Sequence, residues 1–510
     1  MSDRSDRDGT ARKAGLIAGP LLLISFLLFL DLEPGRPEVT RTAAVAALMA
    51  VWWMTEAVPL PVTALLPMAL FPTLGIMGGK DVAPIYFNHI IFLFIGGFIV
   101  ALAMQRWNLH KRMALRVLLM SGARPKGVLF GFMGVTAFLS MWISNTASTM
   151  MMVPIALAVI LEIEEIMPPE VARRYSVGLL LGVAYSASIG GIATLVGTPP
   201  NLSFARIFSI TFPEAPEISF TQWFMLAFPL SVVMLAVLWS ILSLAFTPRG
   251  KSGFELDPRV FRDQYARLGS VTFEERVVFT VFAAMALLWL FRADIRLGSL
   301  TIPGWSNVFA NPKFITDGVV AIAVSVTLFL IPSRQNPAVR LMDWETASRL
   351  PWGIVILFGG GFALASGFKE SGLSMWLGGR LEGVSAFDPV LIVGSICALI
   401  TFMTELTSNT ATAEMLLPVL GALAVAIKVN PLLLMIPGTI ACSCAFMLPV
   451  ATPPNAIIFG TERLKVSDMA KTGLVLNLVG VALITGCVYL LGGAVFDIDM
   501  GRFPAWAELE

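Results

Sequence analysis

The sequence predicts an all-α polytopic membrane protein with about 11 transmembrane helices and two re-entrant helical hairpins. The number of helices is counted from apolar runs, of which one crossing takes roughly 20 residues. Of its 510 residues, 56% are hydrophobic and only 14% are charged, and the mean hydropathy is +0.80. A soluble protein of this length carries more charge. Two polar motifs, each present twice inside apolar stretches, indicate two related halves.

The duplicated motifs occur in the same order in both halves. Ser-Asn-Thr occupies residues 144–146 and again 408–410, and Thr-Pro-Pro-Asn occupies 198–201 and again 452–455. Non-helical backbone at membrane depth persists only where it is buried in protein or lines a wet cavity. Interrupted segments at corresponding positions of two halves therefore predict a transporter binding site.

The first half begins with apolar runs long enough for complete crossings, at 14–31, 41–58, 62–78 and 87–104. Residues 105–126 mix basic and apolar side chains, which predicts an amphipathic helix in the membrane interface. The next apolar segment, 127–162, carries the first Ser-Asn-Thr near its middle. It fits either one long crossing or a hairpin that enters and returns on the same side.

The distribution of basic residues favours the hairpin. With re-entrant hairpins at 127–162 and 386–426, the cytoplasmic segments hold 24 of the 35 Lys and Arg. A crossing at 127–162 would place the basic loop 247–275 outside, against the positive-inside tendency. The remaining crossings then fall at 176–209, 221–246, 276–293, 317–332, 351–368, 431–460 and 472–497. The two halves consequently have opposite orientations, as in an inverted repeat.

This topology gives the expected organisation of the chain. A cytoplasmic N-terminus at 1–13 precedes a first half at 14–246, and a second half at 276–497 precedes an outer C-terminus at 498–510. The cytoplasmic linker lies at 247–275. The repeat units comprise the hairpin 127–162 with the broken helix 176–209, and the hairpin 386–426 with the broken helix 431–460.

The chemistry of the motifs suits an anion together with a cation. Amides and hydroxyls at helix N-termini bind oxyanions, whereas carbonyls freed by adjacent prolines are oxygen ligands for Na⁺. Neither motif pair contains Arg, Lys or His, so co-bound cations must offset the charge of a dianion. A single Ser-Asn-Thr is better explained by hydrogen bonds between helices, but two ordered copies favour binding.

Several other classes of function are excluded or disfavoured. A net charge of +1 argues against a basic surface that binds nucleic acid, and two histidines are too few for a histidine-based metal site. Ser144 has no histidine base nearby in sequence, so an intramembrane hydrolase is disfavoured and no catalytic residue is expected. The acids Glu56, Glu405 and Glu414 are either structural or, as intramembrane acids, candidate proton carriers.

The duplicated motifs, together with Trp-Trp-Met-Thr-Glu-Ala-Val-Pro-Leu-Pro at 52–61, resemble the divalent anion:sodium symporter family over about 14–497. This family contains dicarboxylate, citrate and sulfate carriers. The resemblance implies a homodimer in which a fixed scaffold carries a transport domain that slides as an elevator. It also implies the site residues.

By resemblance, the substrate contacts fall on the two hairpin tips and the two Pro-Pro loops: Ser144, Asn145, Thr146, Ser408, Asn409, Thr410, Thr198, Pro199, Thr452 and Pro453. One sodium site would use Ser140, Ser144, Asn145 and Gly197. The other would use Thr404, Thr407, Asn409 and Ala451. The resemblance therefore implies Na⁺ as a co-transported ion rather than a prosthetic group.

The expected function is sodium-coupled import of a dicarboxylate such as succinate, malate or fumarate. The alternatives are a dicarboxylate exchanger or proton-coupled carrier on the same fold and, from a different class, an anion channel with the tips as its filter. The expected location is a cell membrane, and the short loops are compatible with a bacterial inner membrane. Membrane lipid and a second copy of the chain are the expected partners.

Overall fold

A computed structural model describes residues 2–248, 257, 259–297, 300–381, 383 and 387–508. These residues are mostly α-helical, and the strands β1 (Ile295–Leu297) and β2 (Leu300–Ile302) form one antiparallel pair. Among the described residues, 8 helices are long and apolar enough to cross a membrane. The fold is the all-α membrane fold that the composition predicts.

The chain begins with the helices α1 (Ser2–Phe29), α2 (Pro37–Thr55), α3 (Leu60–Thr63), α4 (Leu66–Thr73), α5 (Gly79–Val82), α6 (His89–Arg106) and α7 (Leu109–Met120). A 3₁₀ turn, Ala83–Tyr86, joins α5 to α6. The crossing predicted at 62–78 is divided between α3 and α4 because Pro67 lacks an N–H and starts a new helix. The interfacial helix is shorter than predicted.

The next elements are α8 (Pro125–Ser140), α9 (Asn145–Ile166), α10 (Pro169–Ile192), α11 (Pro199–Thr211) and α12 (Phe220–Phe246). We call α8 and α9 the first hairpin, and α10 and α11 the first broken helix. The first hairpin occupies the segment predicted at 127–162 and turns at 141–144. Pro125, Pro169 and Pro199 stand in first turns, where a missing N–H costs no helical hydrogen bond.

The middle of the chain contains α13 (Arg259–Arg267), α14 (Phe273–Leu290), α15 (Asp317–Leu330) and α16 (Trp344–Ala347), with 3₁₀ turns at Trp305–Val308 and Pro312–Phe314. The linker predicted at 247–275 lies partly outside the described residues. Buried Arg112 of α7 donates to Glu275 Oε1 at 2.8 Å, which ties α7 to the start of α14.

The last elements are α17 (Trp352–Glu370), α18 (Leu373–Leu381), α19 (Pro389–Met403), α20 (Asn409–Ala426), α21 (Leu432–Cys442), α22 (Pro453–Phe459) and α23 (Val466–Phe496), before a 3₁₀ turn at Ala505–Ala507. We call α19 and α20 the second hairpin, and α21 and α22 the second broken helix. Residue 1, the first residue of the predicted hairpin 386–426 and the last two of the segment 498–510 lie outside the described residues.

The order of elements repeats. The series from α6 to α12 corresponds, helix by helix, to the series from α17 to α23. The short helix α18, which was not predicted, is thus the counterpart of α7. Helix α10 lies in the protein interior and packs against α8, α9, α12 and α22. Helix α1 packs mainly against α2, and its apolar part, Thr10–Phe29, is largely exposed.

Candidate functional site

The tip of the first hairpin is organised by Asn145. Its Oδ1 accepts a hydrogen bond from Ser140 Oγ at 2.5 Å, across the turn between α8 and α9. Ser144 is the N-cap of α9, and its Oγ accepts the backbone N–H of Ala147 at 3.3 Å. A Cβ on Gly191 would lie 2.5 Å from Asn145 Oδ1, so only glycine lets α10 approach the tip this closely.

The first broken helix is unwound between Ile192 and Pro199. The Asn201 carboxamide nitrogen lies within hydrogen-bond distance of three carbonyl oxygens at the end of α10: Gly191 (3.3 Å), Ile192 (3.2 Å) and Thr194 (2.7 Å). Thr194 Oγ1 donates to the carbonyl of Met141 at 2.6 Å, which fastens this stretch to the hairpin turn. The side chains therefore satisfy carbonyls that the missing helix leaves free.

The tip of the second hairpin repeats the first. Thr404 Oγ1 lies 2.8 Å from Asn409 Oδ1, as Ser140 Oγ lies beside Asn145, and also 3.0 Å from the carbonyl of Cys442. Thr407, which is expected at the second sodium site, lies five residues before Thr412. Its hydroxyl contacts Thr412 Oγ1 at 2.6 Å and donates to the Met403 carbonyl at 3.0 Å.

The second broken helix repeats the asparagine brace at the same spacing. Asn455 Nδ2 donates to the carbonyls of Ala445 (3.1 Å) and Leu448 (3.0 Å), which lie ten and seven residues before it. Asn201 reaches Gly191 and Thr194 at those same separations. The repeat seen in the sequence is thus also a repeat of hydrogen bonds.

Glu405 supplies a contact that the first half lacks. Its carboxylate accepts the backbone N–H groups of Phe446 (2.7 Å), Met447 (2.8 Å) and Leu448 (3.0 Å), as well as Asn477 Nδ2 (2.8 Å). Four donors suit an ionised carboxylate. Glu405 is 3% exposed, so the bonds hold a buried charge against the second unwound stretch.

The helices that carry the four motifs pack across the two halves. The first hairpin contacts the second broken helix through α9 and α22, and the second hairpin contacts the first broken helix through α20 and α11. Each hairpin thus packs against the broken helix of the other half. The segments 140–149, 191–203, 404–412 and 443–455 contain no Lys, Arg or His. Besides the Glu405 carboxylate, which the second unwound stretch and Asn477 already satisfy, they offer hydroxyls, carboxamides and helix ends, and helix N-termini bind small anions.

The structure unites some predicted site residues and leaves others apart. The first tip brings together Ser140 and Asn145, and Gly191, which packs against Asn145, is also in contact with Gly197. The second tip brings together Thr404 and Asn409. Described hydrogen bonds do not join Ala451 to the second tip; its N–H donates to Leu448.

The remaining predicted residues sit near the tips and loops. Ser144, Ser408 and Thr146 are half-buried and Thr410 is buried. Thr198 and Thr452 are buried N-caps of α11 and α22, followed by half-buried Pro199 and exposed Pro453. The bracing roles of Asn201 and Asn455 and the pairing of Glu405 with Asn477 were not predicted, although an asparagine inside the apolar run of α23 was a visible signal.

The chain resembles known transporters along nearly its whole length. It is 41% identical over 491 residues to the sodium-dependent dicarboxylate transporter SdcS of Staphylococcus saprophyticus, covering 95% of this chain and 92% of that protein. The protein of the same name in Staphylococcus aureus is 40% identical over 505 residues, covering 97% and 94%.

Two solved transporters share the fold at low sequence identity. The YdaH transporter of Alcanivorax borkumensis superposes with a TM-score of 0.55 at 12% identity, covering 88% of this chain and 99% of that one. MtrF of Neisseria gonorrhoeae gives 0.54 at 13% identity, covering 92% and 97%. These likenesses confirm the membrane-transporter fold.

The family model described as the sodium:sulfate symporter transmembrane region matches residues 20–496. Its members and the relatives above are transporters, so the expectation of a transporter rather than an enzyme is confirmed. The chain is therefore a multi-pass membrane protein that belongs to the sodium:sulfate symporter family.

Proposed function

We propose that this protein imports four-carbon dicarboxylates, such as succinate, malate and fumarate, together with Na⁺. The observation that carries the proposal is the repeated tip, in which Asn145 and Asn409 each pair with a hydroxyl beside an unwound stretch. The names of the relatives from both Staphylococcus species agree with it.

In this proposal each tip presents hydroxyls and helix-end amides to one carboxylate of the substrate. Na⁺ binds beside each tip: with Ser140, Ser144, Asn145 and Gly197 in the first half, and with Thr404, Thr407, Asn409 and Ala451 in the second. The substrate contacts are Ser144, Asn145, Thr146, Ser408, Asn409, Thr410, Thr198, Pro199, Thr452 and Pro453. Because the tips carry no cationic side chain, the anion binds weakly until the cations are present.

We further propose that the hairpins and broken helices move together as an elevator against a scaffold, within a homodimer in the bacterial inner membrane. The N-terminus then lies in the cytoplasm and the C-terminus outside. The contacts between each hairpin and the opposite broken helix support movement of these elements as one body.

Uptake by proteoliposomes tests the proposal. We expect labelled succinate to accumulate with an inward Na⁺ gradient, to be competed by malate and fumarate, and to stop when K⁺ replaces Na⁺. Uptake indifferent to Na⁺ but dependent on internal dicarboxylate would identify an exchanger. Transport without saturation or counterflow would identify a channel.

A double variant connects the activity to the tips. Asn145→Ala with Asn409→Ala removes both carboxamides, and we expect Na⁺-driven uptake to fall to background. Asn307→Ala, at an exposed residue of the 3₁₀ turn Trp305–Val308, is the matched control and should transport like the unmodified protein. Uptake that persists in the double variant would refute the proposed site.

A further inference from the structure

Glu414 is a buried acid that the proposed transport site does not use. It lies on α20, five residues after Asn409, and its side chain has no exposed surface. Its Oε1 lies 2.5 Å from Ser203 Oγ on α11. This contact joins the second hairpin to the first broken helix, two elements from opposite halves of the chain.

The other carboxyl oxygen of Glu414 has no hydrogen-bond partner in the described part of the chain. It lies against Gly361 of α17, where even a Cβ would collide with it. Burying an ionised carboxylate with one donor is costly. Glu405, held by four donors, shows what a buried anion receives in this same protein.

Within the described residues, no charged side chain pairs with Glu414. Among the elements packed against α20, the charged or titratable side chains are Arg206 on α11, Lys369 and Glu370 on α17, Arg380 on α18, Glu38 and Arg41 on α2, and Cys442 on α21. None of the described cations forms an ion pair or hydrogen bond with the Glu414 carboxyl group.

The position of Ser203 indicates where a proton belongs. Its Oγ lies within hydrogen-bond distance of two acceptors, Glu414 Oε1 and the carbonyl of Pro199 at 3.3 Å. A hydroxyl has one proton and makes one full donation. With a proton on Glu414, the acid donates to Ser203 and Ser203 donates to Pro199, so both contacts are satisfied. Pro199 belongs to the Thr-Pro-Pro-Asn loop of the proposed site.

We propose that Glu414 is a proton-binding site whose occupancy controls transport. The protonated form holds α20 against α11 and α17, while loss of the proton leaves an unpaired anion between them and separates the elements that form the transport site. The proton is a ligand additional to the dicarboxylate and Na⁺. This inference rests on the proposed transport function, and its test has one arm that needs no transport.

The first arm compares uptake at saturating Na⁺ in vesicles with equal pH on both sides. We expect uptake by the unmodified protein to fall by up to about tenfold per pH unit above the transition. Glu414→Gln, which keeps the shape and cannot ionise, should transport without that fall. Glu345→Gln, whose side chain is 86% exposed, is the matched control and should keep it. Equal pH profiles for the unmodified protein and Glu414→Gln would overturn the inference.

The second arm uses infrared difference spectroscopy of the purified protein across the same pH range. We expect a protonated-carboxyl stretching band that is absent from Glu414→Gln and shifted in Ser203→Ala, which keeps the acid and removes its partner. An unchanged band in both variants would overturn the inference. Absence of Na⁺-driven uptake by the unmodified protein would refute the proposed function and leave this arm to decide on the proton.

Discussion

Glu405 illustrates how much a single residue depends on its surroundings. The sequence places an acid three residues before Ser408 and leaves open whether it pairs with backbone amides or lines a water path. In the structure it pairs with the amides of residues 446–448. The partners lie about forty residues away, so local sequence could not reveal them.

Replacement of Glu405 by Gln should weaken this contact. The substituted amide cannot accept all four donors, and bonds to a charged acceptor contribute about 1.5–3 kcal/mol each. We expect the free energy of unfolding to fall by about 2–4 kcal/mol, and the Na⁺ concentration for half-maximal uptake to rise. Thermal unfolding in detergent and Na⁺ titration of uptake measure both. Glu370→Gln, at an exposed acid, should change neither, and an unaltered melting curve for Glu405→Gln would contradict the role.

At the scale of elements, hydropathy and proline positions account for most of the helices. The turn at 141–144 follows from the polar tip, and the break before Pro199 follows from two missing donors. Hydropathy could not predict the division of 62–78 or the short helix α18, because a window of one span's length averages over helices this short. The strands β1 and β2 were also unpredicted, because each has only three residues, too few for their alternation of apolar and polar side chains to stand out.

One connection between elements should depend on acid pH. Glu274, just before the crossing predicted at 276–293, receives Ser333 Oγ and the backbone N–H groups of Arg334 and Gln335. Burial disfavours its charge, but these donors outweigh burial and lower its pKa from 4.5 to about 2. The resulting stability is present above pH 4.5 and is lost as the pH falls through about 2.

Glu274→Gln should therefore abolish part of the acid dependence of unfolding. We expect the unmodified protein to lose its stability advantage over Glu274→Gln as the pH decreases from 4.5 towards about 2. Thermal unfolding in detergent over this range measures the difference. Ser333→Ala, which removes one donor, should show a smaller change in the same direction. A constant difference at all pH values would exclude this linkage.

At the scale of the whole molecule, repetition made the architecture predictable from one sequence. Two motifs repeated in the same order implied two related halves, and the correspondence from α6 to α12 with α17 to α23 agrees with this. Distances between motifs were not predictable, because the approach of α9 to α22 and of α20 to α11 is set by packing between distant segments.

The orientation of the halves can be tested by labelling single cysteines in intact cells. The loop before α15 should lie outside and the start of α16 inside. Val308→Cys, at a residue 87% exposed, should react with a membrane-impermeant maleimide, whereas Glu345→Cys should react only after permeabilisation. The four native cysteines are buried, so the unmodified protein provides an unreactive background. Labelling of Glu345→Cys in intact cells would refute the proposed topology.

The asparagine brace also bears on ancestry. Asn201 and Asn455 each donate to carbonyls ten and seven residues before them, so the simplest origin of the two copies is duplication of one unit that already contained this contact. Glu405 has no counterpart in the first half, since the equivalent position is Met141. On this origin the asparagine brace is older than the duplication. The difference between Met141 and Glu405 then arose after it, once the two copies could change independently.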